Sequence, residues 1–303
     1  MFGIPKSFYW GYIAIALFMI GDGVEQAYLS KYIVNLGFSN SQASLVFMVY
    51  GIAVSLASWL SAVLPEIWGP RRTMVIGAVW WIVFHIGFLT FGLSNENYVL
   101  MCILYGIRGV GYPLFLYGFL VWLTYVTEKT RLASAIGMFW SMYSVGIGLI
   151  GTYLPNLTIP HIGFIGTLWI SIIWITTAGV LSTLLIRERG KTVPKSKATK
   201  ETSSNAIRNI SGVYKNPNII KIFIVRIINQ ISMFGLPVIL PVLFIDKIHF
   251  TSSQWLQIWG AMNIALIVGG TFWGFVANRI GWKRQVMWFG CIGTGLATLF
   301  YYY

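Results

Sequence analysis

Apolar stretches of about 20 residues recur along this 303-residue chain and limit what it can fold into. Each stretch is long enough to cross the ~30 Å hydrocarbon core of a bilayer as an α-helix. A helix satisfies all of its backbone hydrogen bonds internally, as lipid requires. Because 57% of the residues are hydrophobic and only 10% are charged, the sequence predicts an all-α membrane protein that crosses the bilayer several times.

The stretches predict about nine helices, six before the one long hydrophilic segment and three after it. That segment, residues 187–218, is rich in Lys, Ser and Thr and has no apolar periodicity, so we interpret it as a cytoplasmic linker. The predicted domains are an amino-terminal six-helix half over 1–186, the linker, and a partial carboxyl-terminal half over 219–303. The predicted helices cover residues 8–33, 41–64, 73–93, 98–126, 133–154, 163–186, 219–245, 252–277 and 283 onward.

The distribution of positive charge predicts the orientation in the membrane. If the helices alternate in direction, seventeen Lys and Arg lie on the side of the amino terminus and two lie on the other side. Lys and Arg are enriched in cytoplasmic loops, so we expect a cytoplasmic amino terminus and a location in the plasma (inner) membrane. The net charge of +13 then reflects topology, and it does not indicate a nucleic-acid partner.

Two of the eight acidic residues, Asp22 and Glu25, lie inside the first predicted helix. A charge at membrane depth costs about 3 kcal/mol on insertion scales, so it normally faces a partner or water. Their i, i+3 spacing places both carboxylates on one helical face, with Gln26 beside them. Two interpretations follow: this face carries a proton and touches a polar solute, or its carboxylates form structural ion pairs between helices.

Other polar side chains inside the predicted helices are candidate partners for that face. Arg108 lies near the middle of the fourth predicted helix. His85 lies near the middle of the third, where a packing role and a proton relay are both open. No His-Glu-x-x-His or Gly-x-Ser-x-Gly motif lies in a helix, which argues against an enzyme. The remaining candidates are Tyr143, Arg226, Asn229 and Gln230, with Trp140 and Tyr117 as aromatic walls. Ordinary packing is the alternative for the rings, and hydrogen bonding between helices is the alternative for Asn229 and Gln230.

An internal repeat joins two loops that lie on the predicted cytoplasmic side. The segment from Gly274 to Arg284 fits the pattern Gly-x-x-x-Asp-Arg-x-Gly-x-Arg-Arg, with Asn278 in place of Asp. The segment from Ala62 to Arg72, 212 residues earlier, occupies the equivalent place. The repeat predicts two gating loops, built from Glu66, Gly69, Arg71 and Arg72 and from Gly274, Asn278, Arg279, Gly281, Lys283 and Arg284.

Six helices, a long linker and the repeated loop resemble the layout of the major facilitator superfamily. Arg108-Gly109-Val110-Gly111 is similar to that family's fourth-helix arginine and following glycines. The resemblance implies that each loop acts as a cytoplasmic gate, in which the loop acid pairs with basic residues or a helix end in one conformational state. Asn278 has no charge, so it weakens the ion-pair form of this gate in the second loop. It also implies twelve helices, so a chain with about nine is expected to be truncated at its carboxyl terminus.

Several segments resemble the polyol permeases, which transport ribitol or D-arabinitol and have relatives labelled alpha-ketoglutarate permeases. These segments begin at Gly11, Tyr105, Tyr112, Ile159 and Val225. The resemblance implies a secondary active transporter that imports a sugar alcohol by proton symport with alternating access. It implies no cofactor besides the coupling proton, and a small polyol and the lipid bilayer as partners. We also expect no nucleic-acid partner and a monomer.

A linear polyol exchanges its hydration shell for carboxylates, amides, guanidinium groups and ring faces. We expect Asp22 to carry the proton, with Glu25 next and Arg108 as the counter-charge. Two arginines can instead clamp a dicarboxylate, sodium can replace the proton, and the chain can be a remnant that does not transport. The predicted substrate-binding residues are Asp22, Glu25, Gln26, Arg108, Tyr143, Arg226, Asn229 and Gln230.

Overall fold

The computed structural model describes residues 8–25, 28–61, 63–186, 216–225, 227–228, 244, 249 and 252–299. Every regular element in these ranges is helical, which confirms the all-α prediction for this part of the chain. Three of the helices continue into π-helical turns, at Phe88–Leu93, Val145–Ile150 and Val286–Gly293. The α-helices are α1 (Tyr9–Gly23), α2 (Leu29–Asn35), α3 (Asn40–Leu60), α4 (Leu64–Trp68), α5 (Pro70–Gly87), α6 (Tyr98–Arg108), α7 (Gly111–Val126), α8 (Leu132–Ser144), α9 (Gly151–Leu184), α10 (Ser252–Ile280), α11 (Trp282–Gln285) and α12 (Thr294–Leu299).

The first predicted helix, residues 8–33, is not continuous. α1 ends at Gly23 and α2 begins at Leu29, so Glu25 lies in the turn after α1. Glycine weakens a helix by up to about 1 kcal/mol relative to alanine, and Gly21 and Gly23 both lie in the last turn of α1. The prediction of one helix was wrong here because hydropathy does not register a break inside an apolar stretch.

The fourth predicted helix, residues 98–126, is also interrupted, between α6 and α7 at Gly109 and Val110. A Cβ atom on Gly109 would lie 3.1 Å from the carbonyl oxygen of Tyr50, so the glycine permits α6 to approach α3 closely. The interruption follows Arg108 directly. It therefore occurs at the one arginine that the prediction placed at mid-membrane in this helix.

The boundary between the fifth and sixth predicted helices lies at Gly163, where the backbone adopts a φ of +71°. The Oγ1 atom of Thr167 donates to that of Thr158 at 2.9 Å, whereas a straight helix would hold residues nine apart about 13 Å apart. The chain therefore turns back at Gly163. The predicted end of the fifth helix at Leu154 was too early, because α9 continues through Pro155 and Pro160 before this turn.

Five of the described helical segments are long and apolar enough to cross a bilayer: Asn40–Leu60, Pro70–Leu93, Tyr98–Val126, Lys129–Leu184 and Ala261–Ile280. The segment Lys129–Leu184 has 56 residues and contains the turn at Gly163, so its length suffices for two crossings. The total of nine membrane helices stays a prediction. The hydrophilic linker, residues 187–218, lies outside the described residues except for its last three.

The chain forms two compact units by its internal contacts, residues 1–195 with 266–303 and residues 196–265. In the first unit, α1 packs against α9 and the adjoining π-helical turns, while α5 packs against α7 and α3 against α6. Small residues allow the close approaches: a Cβ atom on Gly77 of α5 would lie 2.7 Å from the carbonyl oxygen of Gly111 on α7. In the second unit, residues 217–225 and the first half of α10 are helical.

The repeated loops share a backbone feature at equivalent positions. Gly69 and Gly281, 212 residues apart, have φ angles of +87° and +85° and ψ angles of 140° and 145°. Each immediately precedes a helix, α5 or α11. Only glycine adopts this backbone conformation readily, so the repeat extends from sequence to local structure.

Candidate functional site

Asp22, Glu25, His85 and Arg108 come together in the interior of the first unit. Asp22 is in the last turn of α1, Glu25 follows that helix, His85 is near the end of α5, and Arg108 is the last residue of α6. All four are at most 2% exposed. The prediction that the acids of the first helix and Arg108 share one site is therefore consistent with their placement, and we call these four residues the buried polar cluster.

Glu25 and Arg108 form a bidentate ion pair. The Nη1 atom of Arg108 donates to Oε2 of Glu25 at 2.5 Å, and Nη2 donates to Oε1. The hydroxyl of Tyr105, one turn before Arg108 on α6, also donates to Oε1, at 2.8 Å. This fork geometry is the strongest arrangement of an arginine with a carboxylate.

The rest of the Arg108 guanidinium group is surrounded by rings. Its Cζ atom lies 4.3 Å from the ring centre of Tyr105 and 4.6 Å from that of Trp81, distances at which ring faces attract a cation. Nη1 also contacts Nδ1 of His85, at 2.7 Å. Nε is buried and has no hydrogen-bond partner among the described atoms. Both terminal nitrogens of the guanidinium group are thus engaged within the protein.

Asp22 is held separately from the ion pair. Its Oδ1 atom accepts a hydrogen bond from the indole Nε1 of Trp81 at 2.9 Å and another from the hydroxyl of Tyr50 at 3.3 Å. Across the described part of the chain, Arg108 pairs with Glu25 and not with Asp22. Within the described part of the chain, both of these hydrogen bonds are made to Oδ1 of Asp22 and neither involves Oδ2.

Local sequence explains why these helices meet so closely. A Cβ atom on Gly106 would lie 2.6 Å from the Val49 side chain, so Gly106 and Gly109 bring α6 against α3 and place Tyr50 beside Arg108. π-helical turns begin three residues after His85, at Phe88. Such turns are rare and occur often at functional sites, which agrees with the position of the cluster.

A group of tyrosines lies next to the cluster on α7 and α8. The hydroxyls of Tyr112 and Tyr143 are 3.4 Å apart, and both residues pack against the core cluster that contains Trp81. The ring of Trp140 packs edge-on against Tyr143, with 5.3 Å between the centres. Tyr143 and the aromatic wall residues Trp140 and Tyr117 are half-buried, so they have surface left for a ligand.

Four predicted site residues, Gln26, Arg226, Asn229 and Gln230, lie outside the described residues, and their roles stay predictions. Sequence reasoning did not assign Trp81 or Tyr105 to the site. Their spacing carried a signal: Trp81 is four residues before His85, and Tyr105 is three before Arg108, so each shares a helical face with a polar residue.

The predicted gating loops make contacts within the first unit. Glu66 accepts a hydrogen bond from the hydroxyl of Tyr125 at 2.8 Å, and Arg71 and Arg72 are exposed. Asn278 donates through Nδ2 to Oγ of Ser134 at 2.6 Å, so an amide occupies the place where the repeat pattern has an acid. Arg279, Lys283 and Arg284 are exposed.

Comparison with known proteins identifies the family. The model of the Major Facilitator Superfamily matches residues 8–303. The chain belongs to the major facilitator superfamily. Its members are transporters, so this chain is a multi-pass membrane transport protein and not an enzyme, as the sequence predicted.

Individual relatives agree with this assignment. A ribitol transporter from Klebsiella pneumoniae is 46% identical over 305 residues, covering 100% of this chain and 71% of the relative. A D-arabinitol transporter from the same organism is 46% identical over 302 residues, covering 99% of this chain and 71% of the relative. An alpha-ketoglutarate permease from Bacillus subtilis (strain 168) is 36% identical over 301 residues, covering 99% of this chain and 68% of the relative.

Proposed function

We propose that this transporter imports a ribitol- or arabinitol-type polyol by proton symport, with Asp22 as the proton carrier and Glu25 as the fixed counter-charge of Arg108. The observation that supports this division of roles is the bidentate pairing of Arg108 with Glu25, which leaves Asp22 without a cationic partner among the described residues. With Asp22 ionised, the cluster has a net charge of −1 when His85 is neutral. A proton on Asp22 makes the cluster neutral, which suits the interior of a membrane protein.

The same pairing favours a neutral solute. An organic anion would need the terminal nitrogens of Arg108, and these already bind Glu25 and His85. A polyol needs hydroxyl partners and ring faces instead. The carboxyl group of Asp22 and the half-buried Tyr143 and Trp140 are of this kind, and Tyr112 extends the same surface.

Transport in this proposal proceeds by alternating access. The half formed by residues 1–186 rocks against the half formed by residues 219–303, with the linker, residues 187–218, between them. The two gating loops close the cytoplasmic side, where Glu66 and Asn278 have hydrogen-bonding partners on α7 and α8. The amino terminus is cytoplasmic and the protein lies in the plasma (inner) membrane, as the seventeen-to-two distribution of Lys and Arg favours.

An uptake assay tests the substrate and the coupling ion. Cells that express the chain receive labelled ribitol, labelled D-arabinitol or labelled oxoglutarate, with and without a protonophore and with sodium replaced by potassium. The proposal predicts polyol uptake that the protonophore abolishes and the cation exchange leaves unchanged. Uptake of oxoglutarate in place of both polyols would reject the neutral solute, and loss of uptake on sodium removal alone would reject proton coupling.

A further inference from the structure

The imidazole ring of His85 contacts the cluster from α5 and makes two specific hydrogen bonds. Its Nδ1 atom lies 2.7 Å from Nη1 of Arg108, and its Nε2 atom lies 3.1 Å from the carbonyl oxygen of Leu168 on α9. The ring is 0% exposed. Its two partners differ in chemistry, since the guanidinium group has only donors and a carbonyl oxygen only accepts.

We infer that His85 is a positioning residue that holds Arg108 in place, by accepting its hydrogen bond at Nδ1 while anchoring to α9 through Nε2. The partners dictate the tautomer. Because Arg108 can only donate, Nδ1 carries no proton, and because Leu168 offers a carbonyl, the proton is on Nε2. The ring is therefore neutral and has a single orientation.

This arrangement explains why histidine suits the position. Lysine or arginine has no acceptor for the guanidinium group, and a carboxylate would bring a third acid to Asp22 and Glu25. Neutral histidine supplies one acceptor and one donor on opposite sides of a rigid ring. It thereby ties α6 to α9 without adding charge to a buried site.

His85 also reaches Asp22 through Trp81. The imidazole stacks on the Trp81 ring with 4.2 Å between centres and 24° between planes, and the Trp81 indole donates to Asp22. One ring thus contacts both the guanidinium group of Arg108 and the residue that binds the proposed proton carrier. Among the described residues, the charged group in direct contact with the ring is Arg108 from α6. Beyond it, Glu25, Tyr105 and Tyr50 surround Arg108, and Asp22 is reached through Trp81.

Nitrogen-15 NMR of histidine-labelled protein in lipid tests the tautomer without any transport step. The chain has three histidines, and His161 and His249 are exposed, so His161→Gln and His249→Gln assign the third signal by elimination. We expect the His85 signal to report unprotonated Nδ1 and protonated Nε2 at neutral pH. The exposed histidines serve as references that exchange between tautomers. The opposite tautomer or a doubly protonated ring at His85 would overturn the inference.

Two substitutions at His85 separate its two hydrogen bonds. Asparagine places an amide oxygen near the Nδ1 position, and glutamine places an amide nitrogen near the Nε2 position. If His85 acts through Arg108, His85→Asn keeps kcat/KM for polyol uptake well above that of His85→Gln, by about tenfold, the order expected for a hydrogen bond to a charged group. Equal losses in both variants, at equal amounts of folded protein, would mean a packing role only.

The inference rests on the proposed function for its uptake readout, whereas the NMR readout is independent of it. If the unchanged chain carries no polyol but His85 has the expected tautomer, the proposed function fails and the contact with Arg108 stands. If polyol uptake is normal but the tautomer is reversed, the proposed function stands and the inference fails.

Discussion

Neutralising either member of the Glu25–Arg108 pair should destabilise the protein strongly. Arg108 and Glu25 are 0% and 1% exposed, so neither Glu25→Gln nor Arg108→Gln exposes the remaining charge to water. Removing one partner of such a buried pair costs about 3–5 kcal/mol of unfolding free energy, because the other charge stays buried without compensation. Arg108→Gln also removes the hydrogen-bond donor to His85, so we expect it to lower the unfolding free energy at least as much as Glu25→Gln does.

The chain contains a matched control for this prediction. Glu128 and Arg131 lie 4.0 Å apart with exposed fractions of 69% and 49%, so water replaces either partner when it is lost. Glu128→Gln should therefore cost less than about 1 kcal/mol. The double variant Glu25→Gln with Arg108→Gln should lose less unfolding free energy than the two single variants lose together. The difference, the coupling energy, should be about 0.5–3 kcal/mol.

Unfolding of the purified protein in lipid bicelles, followed by denaturant titration, measures all of these variants under one condition. The far-ultraviolet circular dichroism of each folded variant serves to check that the helices are intact. If Glu25→Gln and Arg108→Gln each cost no more than Glu128→Gln, the pair does not stabilise the fold. Strict additivity in the double variant would show that the two side chains do not interact.

The same titration tests the glycine contacts and the turn. Gly77→Ala should lower the free energy of unfolding by about 1–3 kcal/mol, because its new Cβ atom would lie 2.6 Å from the backbone nitrogen of Phe115. Gly51→Ala should raise it by up to about 1 kcal/mol, since nothing lies within 4 Å of the new Cβ atom. A gain at Gly77 would contradict the packing of α5 on α7. Gly163→Ala should lose about 1–2 kcal/mol from backbone strain alone, because its φ is +71° and its surroundings are open. If Gly163→Ala leaves the unfolding free energy unchanged, the turn adopts another backbone conformation at small energetic cost.

The sequence was sufficient to predict that Asp22 and Glu25 lie near Arg108. A charge inside an apolar stretch is so costly that it faces a partner or water, so an acid and a base in separate predicted helices are candidate partners. The repeated loop was predictable from the matching pattern of the two segments, and the structure adds a physical reason for its glycines. Gly69 and Gly281 occupy positions where the backbone needs a positive φ, and only glycine meets that need readily.

The pairing inside the site was not predictable in the same way. Which acid binds Arg108 depends on the break after Gly23, which places Glu25 in a turn instead of on a continuous helix face. His85 was ambiguous because a single histidine in an apolar stretch serves more often in packing than in a polar network, and sequence alone does not separate the two roles. Trp81 is one of 14 tryptophans in the chain, and nothing in the composition distinguished it from a packing residue.

The most direct test of the account compares two transport modes in the variant Asp22→Asn. Proteoliposomes are loaded with unlabelled ribitol for counterflow of labelled ribitol, or are given an inward proton gradient for net accumulation. If Asp22 carries the proton, Asp22→Asn keeps counterflow, because exchange needs no net proton movement, and loses accumulation in response to the gradient. Accumulation by Asp22→Asn at the level of the unchanged chain would contradict the account and move the proton to another group.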